Sequence, residues 1–473
     1  MGPGVFIKSL LKTGVNSNQI TAFDIDNSYE EEIQSLGVKF EQKDTLLSIT
    51  PEFHNEYDFI IGNPPYLNKA SLYVKNHRNE LKRIYGKINS HETYSMFIIN
   101  AIWRLKEGGK LGFITSDSFL TLRTHERLRQ YILQNCLVNE LFLAPEDLFN
   151  QQNVSTKPVI IILTKCTGRE RDKIRNGNVM RVISRIESEA DYNKPDKKFE
   201  INQEKYSKFP FNIFFVDVED AIIELFEKSN KINEVMKGFI GMHTHDNKKF
   251  IAAIAGTEMA EIFRKRNQKL NKNGEMLKVI SKYEIESGLW KPYLKRGGAD
   301  QYFRPIMEAV KWDEESVKIY DIPQKVPFEQ EGIVISGVSS RLAARYMPRG
   351  CYWDSNKAIG FILKNESISI HYILGLLNSS LYNYLAKGII NNTSSIQISG
   401  INSLPFIYPE PRLMKDVDQM VAKIIKLKKN NSDFNYTEEQ REIDNAIFNF
   451  YSQKFNFSND LKRKIDKEYS NYR

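Results

Sequence analysis

An apolar run in the first third of the chain leads into a loop whose residue types suit the activation of an aromatic amine. Phe59–Ile61 is followed, after one glycine, by Asn63-Pro64-Pro65-Tyr66. The exocyclic amine of adenine is a poor nucleophile because its lone pair is delocalised into the ring. Two acceptors on its N–H bonds, the Asn63 side-chain oxygen and the Pro64 carbonyl oxygen, would draw the nitrogen toward a nucleophilic geometry. Pro65 would help to stiffen the loop, and Tyr66 would offer a ring on which the base stacks.

A strand that stops at a proline-rich turn is the simpler interpretation of the same residues. Such a turn, however, requires neither an asparagine at its first position nor an aromatic residue at its last. The segment resembles motif IV of the amino-group DNA methyltransferases in its adenine-specific form. That resemblance implies a target base that leaves the duplex, since its amine is otherwise out of reach. It also implies four catalytic residues: Asn63, Pro64, Pro65 and Tyr66.

Around this loop, short apolar runs alternate with helical periodicity, which predicts an α/β domain with a mostly parallel sheet. The expected strands are Ile20–Phe23, Val38–Phe40, Phe59–Ile61, Lys110–Thr115, Val138–Leu143 and Pro158–Leu163. Helical periodicity is clearest in Tyr94–Leu105 and Glu126–Leu133. The resemblance implies that residues 1–166 form a class I (Rossmann-like) methyltransferase domain that uses S-adenosylmethionine as its cofactor.

Several residues match positions at which the family holds S-adenosylmethionine. Asp24 ends a strand, where an acid bonds the ribose hydroxyls in dinucleotide-type sites, and Ile25 would lie against the adenine. Asp44 matches the acid that accepts a hydrogen bond from the cofactor's adenine amine, with Thr45 beside it. Phe97 lies in a segment that resembles motif V and is expected to pack near the cofactor, although an aromatic residue there is often only part of the core.

Two further segments are similar to motifs of the TaqI-like methyltransferases. Asp147-Leu148-Phe149-Asn150 is similar to motif VIII, so Phe149 is expected to hold the flipped base together with Tyr66. Its simpler role would be that of a core residue at the edge of the domain. Gly2 and Gly4 match the second half of motif I, the glycine loop that passes beneath the methionine end of the cofactor.

The first half of motif I, an apolar strand ending in an acid, has no counterpart before Gly2. In the family this strand lies at the centre of the sheet, between the strands that end near Asp24 and Gly62. Its absence predicts two strand edges without a partner and a cofactor site that the chain does not complete alone. Three explanations stay open: a small second polypeptide that supplies the strand, a truncated chain, or a degenerate relative.

The second half of the chain is basic and aromatic and resembles the family's target-recognition region. The expected division is a linker or peripheral excursion at residues 167–208, an α+β DNA target-recognition domain at 209–411 and a helical segment at 412–473. Basic residues among aromatic ones can bond phosphates and reach base edges, although any single one could belong to a solvated basic face. The expected DNA contacts are Lys291, Lys295, Arg296, Arg341 and Arg345.

Composition narrows the class of protein. The formal net charge of +8 suits double-stranded DNA as a partner without establishing it. The three cysteines form no CxxC pair, and His243 and His245 lack a third ligand in the sequence, so we predict no metal site. The sequence has no signal peptide and no apolar stretch long enough to span a membrane, which predicts a cytoplasmic protein. We find no convincing nuclease motif, so a cognate endonuclease would be a separate protein.

Together these features predict a site-specific DNA methyltransferase that modifies adenine N6. Two other methyltransferase activities are compatible with the motif: transfer to cytosine N4, whose enzymes more often begin the motif with serine, and transfer to a protein glutamine. The large second half argues against the glutamine enzymes. A catalytically inactive DNA-recognition subunit is the alternative from a different class.

Overall fold

The computed structural model describes residues 4–149, 157–269, 276–295, 298–355, 357–391 and 393–470. The chain divides into two compact units, Met1–Val218 and Glu219–Arg473. None of the helices in the described part of the chain is long and apolar enough to cross a membrane.

The strands of the first unit form where the sequence has its short apolar runs, because β-branched and aromatic residues fit a pleated, half-buried surface. All six predicted strands are confirmed, and two more follow them. The strands are β1 (Thr21–Asp24), β2 (Lys39–Gln42), β3 (Tyr57–Gly62), β4 (Leu105–Ser116), β5 (Cys136–Leu143), β6 (Pro158–Lys165), β7 (Val179–Ile183) and β8 (Lys198–Asn202).

Six of these strands form one mixed sheet in the order β3-β4-β6-β5-β7-β8. β3 runs parallel to β4, and β5 runs parallel to β7, whereas β6 is antiparallel to both β4 and β5. The prediction of a mostly parallel sheet is therefore wrong for this sheet. β5 and β6 are consecutive neighbours joined by a reversal of the chain, which gives antiparallel pairing without a crossover helix.

β1 and β2 form a separate two-stranded parallel sheet. Among the described residues, no strand pairs with the edge of β3 that faces away from β4, and none joins β1 to β3. The ring of Phe23 on β1 nevertheless approaches that of Tyr57 on β3, with centroids 6.0 Å apart. The sheet of β1 and β2 and the six-stranded sheet therefore share no strand pairing among the described residues.

The helices of the first unit cover these sheets. α5 is the most deeply buried, since all of its residues except Phe97 are buried. α1 and α2 contribute Ile7 and Ile33 to a small core with residues of β1 and its surroundings. The helices are α1 (Val5–Lys12), α2 (Glu30–Ser35), α3 (Leu72–Asn76), α4 (Arg78–Tyr85), α5 (Thr93–Arg104), α6 (Ser118–Thr121), α7 (Glu126–Asn135), α8 (Asp172–Asn176) and α9 (Gln203–Lys208).

The segment 167–208 is not a linker, which corrects the sequence-based division. β7 pairs with β5, and β8 pairs with β7, so both strands extend the six-stranded sheet. Met180, Val182 and Ile183 are fully buried. Only Arg181 interrupts this apolar run, but the run is short and lies in a charge-rich segment, which hid the strand from the sequence analysis.

The second unit contains two larger sheets and a short pair. Their orders are β10-β18-β15-β16, β12-β11-β14-β13-β17 and β19-β9. The strands are β9 (Asn230–Lys231), β10 (Met236–Ile240), β11 (Ile251–Ile254), β12 (Lys278–Ile280), β13 (Trp290–Leu294), β14 (Glu308–Lys311), β15 (Gly332–Ser336), β16 (Ala344–Met347), β17 (Tyr352–Trp353), β18 (Ala358–Leu363) and β19 (Pro405–Phe406).

The helices of the second unit are concentrated toward its end. The segment 412–473 is helical as predicted, and it packs against the rest of the unit, with Val417, Ile443 and Ile447 fully buried. The helices are α10 (Asp220–Lys228), α11 (Asn247–Phe250), α12 (Glu258–Gln268), α13 (Lys282–Glu286), α14 (Glu314–Val317), α15 (Ile370–Asn378), α16 (Ser380–Asn383), α17 (Ile398–Asn402), α18 (Pro411–Asn430), α19 (Thr437–Phe455) and α20 (Asn459–Glu468), with a π-helical turn at Tyr384–Ile390.

Candidate functional site

The loop Asn63-Pro64-Pro65-Tyr66 follows directly on the carboxyl end of β3. Asn63 is exposed, Pro64 is buried and Tyr66 is partly buried. The Tyr66 hydroxyl donates a hydrogen bond to Asn63 Oδ1 over 2.7 Å. A carboxamide oxygen has two lone pairs, so this bond orients the Asn63 side chain and leaves the oxygen able to accept a second donor.

A threonine that the sequence analysis did not single out holds this loop against α5. The Thr93 hydroxyl donates to the carbonyl oxygen of Pro65. It also accepts from the Leu67 backbone N–H over 3.0 Å, and the Thr93 N–H donates to the Leu67 carbonyl oxygen over 2.9 Å. Thr93 is buried, so these bonds fix the loop at the point where it leaves the Pro-Pro pair.

We expect Thr93→Val to lower the rate of the predicted methyl transfer by about tenfold or more, because a catalytic group that is held out of position loses much of its effect. Valine keeps the shape of the side chain but leaves the Pro65 carbonyl and the Leu67 N–H without their partner, a cost of about 1–3 kcal/mol. The rate of methyl transfer is measured for the unaltered chain, for Thr93→Val and for Thr164→Val. The last is a matched control, because the Thr164 hydroxyl bonds Asn139 in another part of the sheet. Equal losses in both variants would show that Thr93 has no special role.

Two aromatic rings flank the Tyr66 side chain. The ring centroid of Phe149 lies 6.3 Å from that of Tyr66, at an interplanar angle of 54°. The ring centroid of Tyr94 also lies 6.3 Å from that of Tyr66. A base held between two parallel rings needs about 7 Å between them, because carbon atoms in contact are about 3.5 Å apart. Tyr66 and Phe149 are therefore near each other, as the sequence analysis expected, and a small rotation would let a planar base enter between them. The remainder of the motif VIII segment, residues 150–156, lies outside the described residues.

Tyr94 belongs to a buried polar network that the sequence did not reveal. Its hydroxyl contacts His125 Nε2 at 2.9 Å and Ser118 Oγ at 2.7 Å. Burial raises the pKa of Tyr94, and it raises the pKa of Tyr66 to about 12. Both phenols therefore stay protonated at neutral pH, and Tyr66 remains a hydrogen-bond donor toward Asn63.

The acids assigned to the cofactor lie after neighbouring parallel strands. Asp24 ends β1 and is in register with Gln42, two residues before Asp44. The Lys43 N–H also donates to the Asp24 carbonyl oxygen over 2.8 Å. Parallel strands place their carboxyl ends at one edge, so the residues after β1 and β2 share that edge of the small sheet.

Asp44 has a partner that the sequence analysis missed. Its carboxylate accepts the Tyr73 hydroxyl at 2.8 Å and the backbone N–H groups of Leu46 and Leu47. The burial of Tyr73 and its bond to Asp44 raise the pKa of the phenol. An ionised carboxylate has about four acceptor positions, so these bonds orient Asp44 without exhausting it.

The apolar residues assigned to the cofactor differ in exposure. Ile25 is 58% exposed, and Phe97 is partly exposed on a helix that is otherwise buried. Thr45 is partly buried, and its carbonyl oxygen accepts the Asn100 side chain over 2.9 Å. Gly4 is the N-cap of α1 with φ of 72°, a left-handed conformation that favours glycine. Gly2 lies outside the described residues.

The basic residues predicted to contact DNA fall into distinct environments in the second unit. Lys291 is partly exposed and lies 3.2 Å from Glu329, and Arg341 is also partly exposed. Lys295 forms an ion pair with the buried carboxylate of Asp354. Arg345 is only 3% exposed, and burial lowers its pKa to about 10. The placements of Lys295 and Arg345 do not fit the predicted DNA contacts, because both side chains are engaged inside the unit. Arg296 lies outside the described residues.

These placements predict different effects for the replacement of two nearby arginines, one on DNA binding and one on stability. Arg341→Ala is expected to weaken DNA binding and to reduce the slope of log affinity against log salt concentration by about 1, as for the loss of one phosphate contact. Arg345→Ala is expected to lower the thermal unfolding midpoint, because it removes a buried, partnered side chain. Fluorescence anisotropy at several salt concentrations and thermal melts distinguish the two. Unchanged DNA affinity of Arg341→Ala with unchanged stability of Arg345→Ala would contradict both assignments.

Two family models match the chain, one in each half. Residues 7–149 match the Eco57I restriction-modification methylase family, and residues 278–406 match the TaqI-like C-terminal specificity domain. The first match contains the Asn-Pro-Pro-Tyr loop, and the second contains Arg341 and Arg345.

Curated relatives of the chain include methyltransferases. The type II methyltransferase M.HincII of Haemophilus influenzae is 30% identical over 184 residues, which covers 38% of this chain and 34% of the relative. The adenine-specific methyltransferase BrxX of Escherichia coli O9:H4 (strain HS) is 21% identical over 398 residues, or 80% of this chain and 31% of the relative. The chain thus spans about a third of the length of these relatives.

A solved structure shows a similar fold. The type IIL restriction-modification enzyme MmeI, in complex with DNA, aligns with 85% of this chain and 55% of its own at a TM-score of 0.52 and 13% identity. The chain thus contains a region that matches the Eco57I methylase family, followed by a region that matches the TaqI-like specificity domain. These matches and the relatives above confirm the predicted resemblance to the TaqI-like restriction-modification methylases.

Proposed function

We propose that this chain transfers a methyl group from S-adenosylmethionine to N6 of an adenine that is flipped out of a specific double-stranded DNA sequence. The observation that carries the proposal is the exposed Asn63 side chain at the carboxyl end of β3, oriented by the Tyr66 hydroxyl. Phe149 stands beside Tyr66. An amide oxygen and a neighbouring carbonyl oxygen can accept the two N–H bonds of an exocyclic base amine, and two aromatic rings can stack on the base.

The residues around β1 and β2 fit S-adenosylmethionine. Asp24 and Asp44 offer carboxylate acceptors for ribose hydroxyls and an adenine amine, and Ile25, Thr45 and Phe97 are the residues that we propose to lie against the cofactor. The cofactor supplies an electrophilic methyl group on its sulfonium sulfur. Gly4 and Gly2 are the proposed glycine-loop positions under its methionine end.

In the proposed reaction the protein positions and polarises the amine. Asn63 Oδ1 and the Pro64 carbonyl oxygen accept the two amine N–H bonds, which favours the tetrahedral nitrogen that attacks. Pro64 and Pro65 limit the movement of these acceptors, and Thr93 holds the loop to α5. Tyr66 and Phe149 enclose the base and exclude water. With S-adenosylmethionine held by the residues around β1 and β2, the amine nitrogen would displace the neutral thioether from the methyl carbon, and the methylated amine would then release its extra proton to water.

The substrate and product are tested together by labelled methyl transfer into genomic DNA that lacks adenine methylation. Hydrolysis and separation of the nucleosides identify the product. Label in N6-methyladenine supports the proposal, and label in N4-methylcytosine or in protein glutamine would replace it. DNA binding with no transfer under any condition would favour an inactive recognition subunit.

We also propose that a strand from polypeptide outside residues 1–473 completes the first unit. Two four-residue parallel strands alone are too small to be stable, and parallel sheets are normally buried within larger ones. β1 and β2 nevertheless form such a pair, and β3 exposes Phe59 and Ile61, at 71% and 40%. One strand between β1 and β3 would pair with both edges and join the acids of β1 and β2 to the loop after β3.

The expected partners follow from this function. Double-stranded DNA is the substrate, the strand-bearing polypeptide is the structural partner, and a cognate endonuclease would be a separate protein. The proposed place of action is the cytoplasm, where the DNA of a restriction-modification host lies.

A further inference from the structure

Two histidines and an aspartate of the second unit come together from different segments of the chain. His243 and His245 follow β10, and Asp321 follows α14, more than seventy residues later. The potential ligand atoms of His243, His245 and Asp321 all lie within 4.8 Å of one another. His245 Nε2 is 3.0 Å from Asp321 Oδ2, and the two imidazole rings meet edge to face at 4.7 Å. The sequence prediction of no metal site rested on the lack of a third ligand, and Asp321 supplies one.

The backbone around these three residues is fixed independently of their side chains. The His243 N–H donates to the Asp321 carbonyl oxygen over 3.1 Å, and the Asp321 N–H donates back over 2.9 Å. These two bonds form an antiparallel bridge that sets His243 opposite Asp321. The next residue, Thr244, is buried, so the turn is anchored between the two histidines.

His245 adopts a left-handed conformation with φ of 60°. A non-glycine residue in this region carries backbone strain, and such residues concentrate at functional sites. Here the conformation turns the His245 ring back toward His243 and Asp321. Asp246 then caps α11 by accepting the N–H groups of Lys248 and Lys249, which holds the far side of the turn.

We propose that His243, His245 and Asp321 bind one divalent transition-metal ion, of which Zn²⁺ is the best match. Two imidazole nitrogens and one carboxylate oxygen are a ligand set that zinc accepts, with water or an anion in the remaining position. In a tetrahedral site with Zn–N distances near 2.0 Å, ligand atoms lie about 3.3 Å apart. His245 and Asp321 already meet this spacing. Their side chains are half or more exposed, so rotation brings the set together without moving the core.

An ion pair between His245 and Asp321 is the simpler interpretation, and the rest of the chain offers a comparison. His77 and Glu80 form such a pair at 3.2 Å in the first unit. Among the described residues, the group around His243 is the only one with three suitable ligands. A plain ion pair does not require a second histidine, a backbone bridge and a left-handed residue at the same place. Zinc would join the turn after β10 to the segment after α14, and this role is independent of the proposed methyl transfer.

The test is metal binding by the purified full chain and four variants. Three variants remove one ligand each: His243→Ala, His245→Asn and Asp321→Asn. Asparagine suits the left-handed position and is nearly isosteric with aspartate, so both changes keep the backbone. His77→Ala is the control that breaks a His–carboxylate pair elsewhere. Each protein is dialysed against Zn²⁺ at about 1 µM, the range in which a specific site stays occupied, and the bound metal is measured by mass spectrometry.

The unaltered chain and His77→Ala are expected to retain one zinc ion per chain, and each ligand variant is expected to bind at least about tenfold more weakly. Substituted Co²⁺ should give a visible absorption spectrum that the ligand variants lack. Circular dichroism of the metal-free proteins shows whether they fold. If the histidine variants do not fold, the nearly isosteric Asp321→Asn still decides the question. An unaltered chain without bound zinc, or folded ligand variants that bind as it does, would overturn the site.

Discussion

Replacing Asn63 with alanine is expected to lower the rate of methyl transfer by about two to three orders of magnitude, the usual cost of removing one preorganised polar group at a reacting centre. The acceptor bond strengthens only as the amine nitrogen becomes tetrahedral, so the loss falls on kcat rather than on DNA affinity. Asn63 is exposed at the end of β3. Its truncation therefore removes no core packing, and the fold should be unaffected.

Two matched variants separate the acceptor role from a general disturbance of the loop. Asn63→Asp retains an acceptor oxygen and is expected to keep much more activity than Asn63→Ala. Asn68→Ala changes an exposed asparagine a few residues along the same loop, whose side chain caps the Ala70 N–H, and should transfer nearly as the unaltered chain does. Single-turnover transfer of labelled methyl groups measures the rate, and fluorescence anisotropy measures DNA binding. An Asn63→Ala chain that transfers at the unaltered rate would remove amine activation by Asn63 from the mechanism.

The strands and the candidate catalytic loop could be predicted because their signals are local. β3 and β4 begin and end within about five residues of the strands predicted from the apolar runs. The loop after β3 was identified from four consecutive residues. The proximity of Tyr66 and Phe149 was also expected, although it was a consequence of the family resemblance rather than of spacing. Local patterns and a family pattern therefore account for the centre of the candidate site.

The contacts that hold the site could not be predicted, because they join residues far apart in sequence. Thr93 bonds a loop 26 and 28 residues earlier, and Tyr73 meets Asp44 across 29. The residues next to Thr93 and Tyr73 in the sequence do not indicate which group each side chain bonds. The same limit applies to Asp321, whose position beside His243 depends on the fold of the second unit.

Charge was a poor guide to the second unit for a related reason. A lysine or an arginine in a basic, aromatic segment has the same sequence context whether it faces solvent or an internal acid. Lys295 pairs with Asp354, and Arg345 is buried in β16, whereas Arg341 is partly exposed. Only the packing of the strands separates the two classes, so the structure narrows the candidate DNA contacts to Lys291 and Arg341 among the described residues of the predicted set.

The other large effect is expected from completing the sheet between β1 and β3. Supplying a polypeptide that carries the proposed strand and the first half of the glycine loop, fused or added separately, is expected to increase binding of labelled S-adenosylmethionine at least about tenfold. The same addition should produce or strongly raise methyl transfer. A strand in this gap fixes β1 and its acid Asp24 relative to the loop after β3, and pre-organised sites bind more tightly because less ordering is left to binding.

Charged substitutions on β3 test where the strand binds. Phe59→Lys with Ile61→Lys should leave the isolated chain folded, because both side chains are exposed in it. Side chains of an added strand would pack beside them on the same face of the sheet, and unpaired charges against apolar neighbours weaken this packing, so the stimulation should fall by about tenfold or more. Val179→Lys is the matched control, since Val179 is a 57% exposed apolar residue on β7, at the other end of the same sheet.

Backbone amides report the same event without depending on catalysis. In the isolated chain, amides at the free edge of β3 should exchange rapidly with deuterium, and the added strand should protect them. Tight cofactor binding by the chain alone, with these amides already protected, would overturn the completing strand and leave the methyl-transfer proposal intact. Protection of these amides without methyl transfer would support the completing strand and overturn the methyl-transfer proposal, because the sheet would then be complete and the loop at Asn63 inactive. The two proposals therefore fail by different observations, and the exchange experiment decides which of them the activity assay is testing.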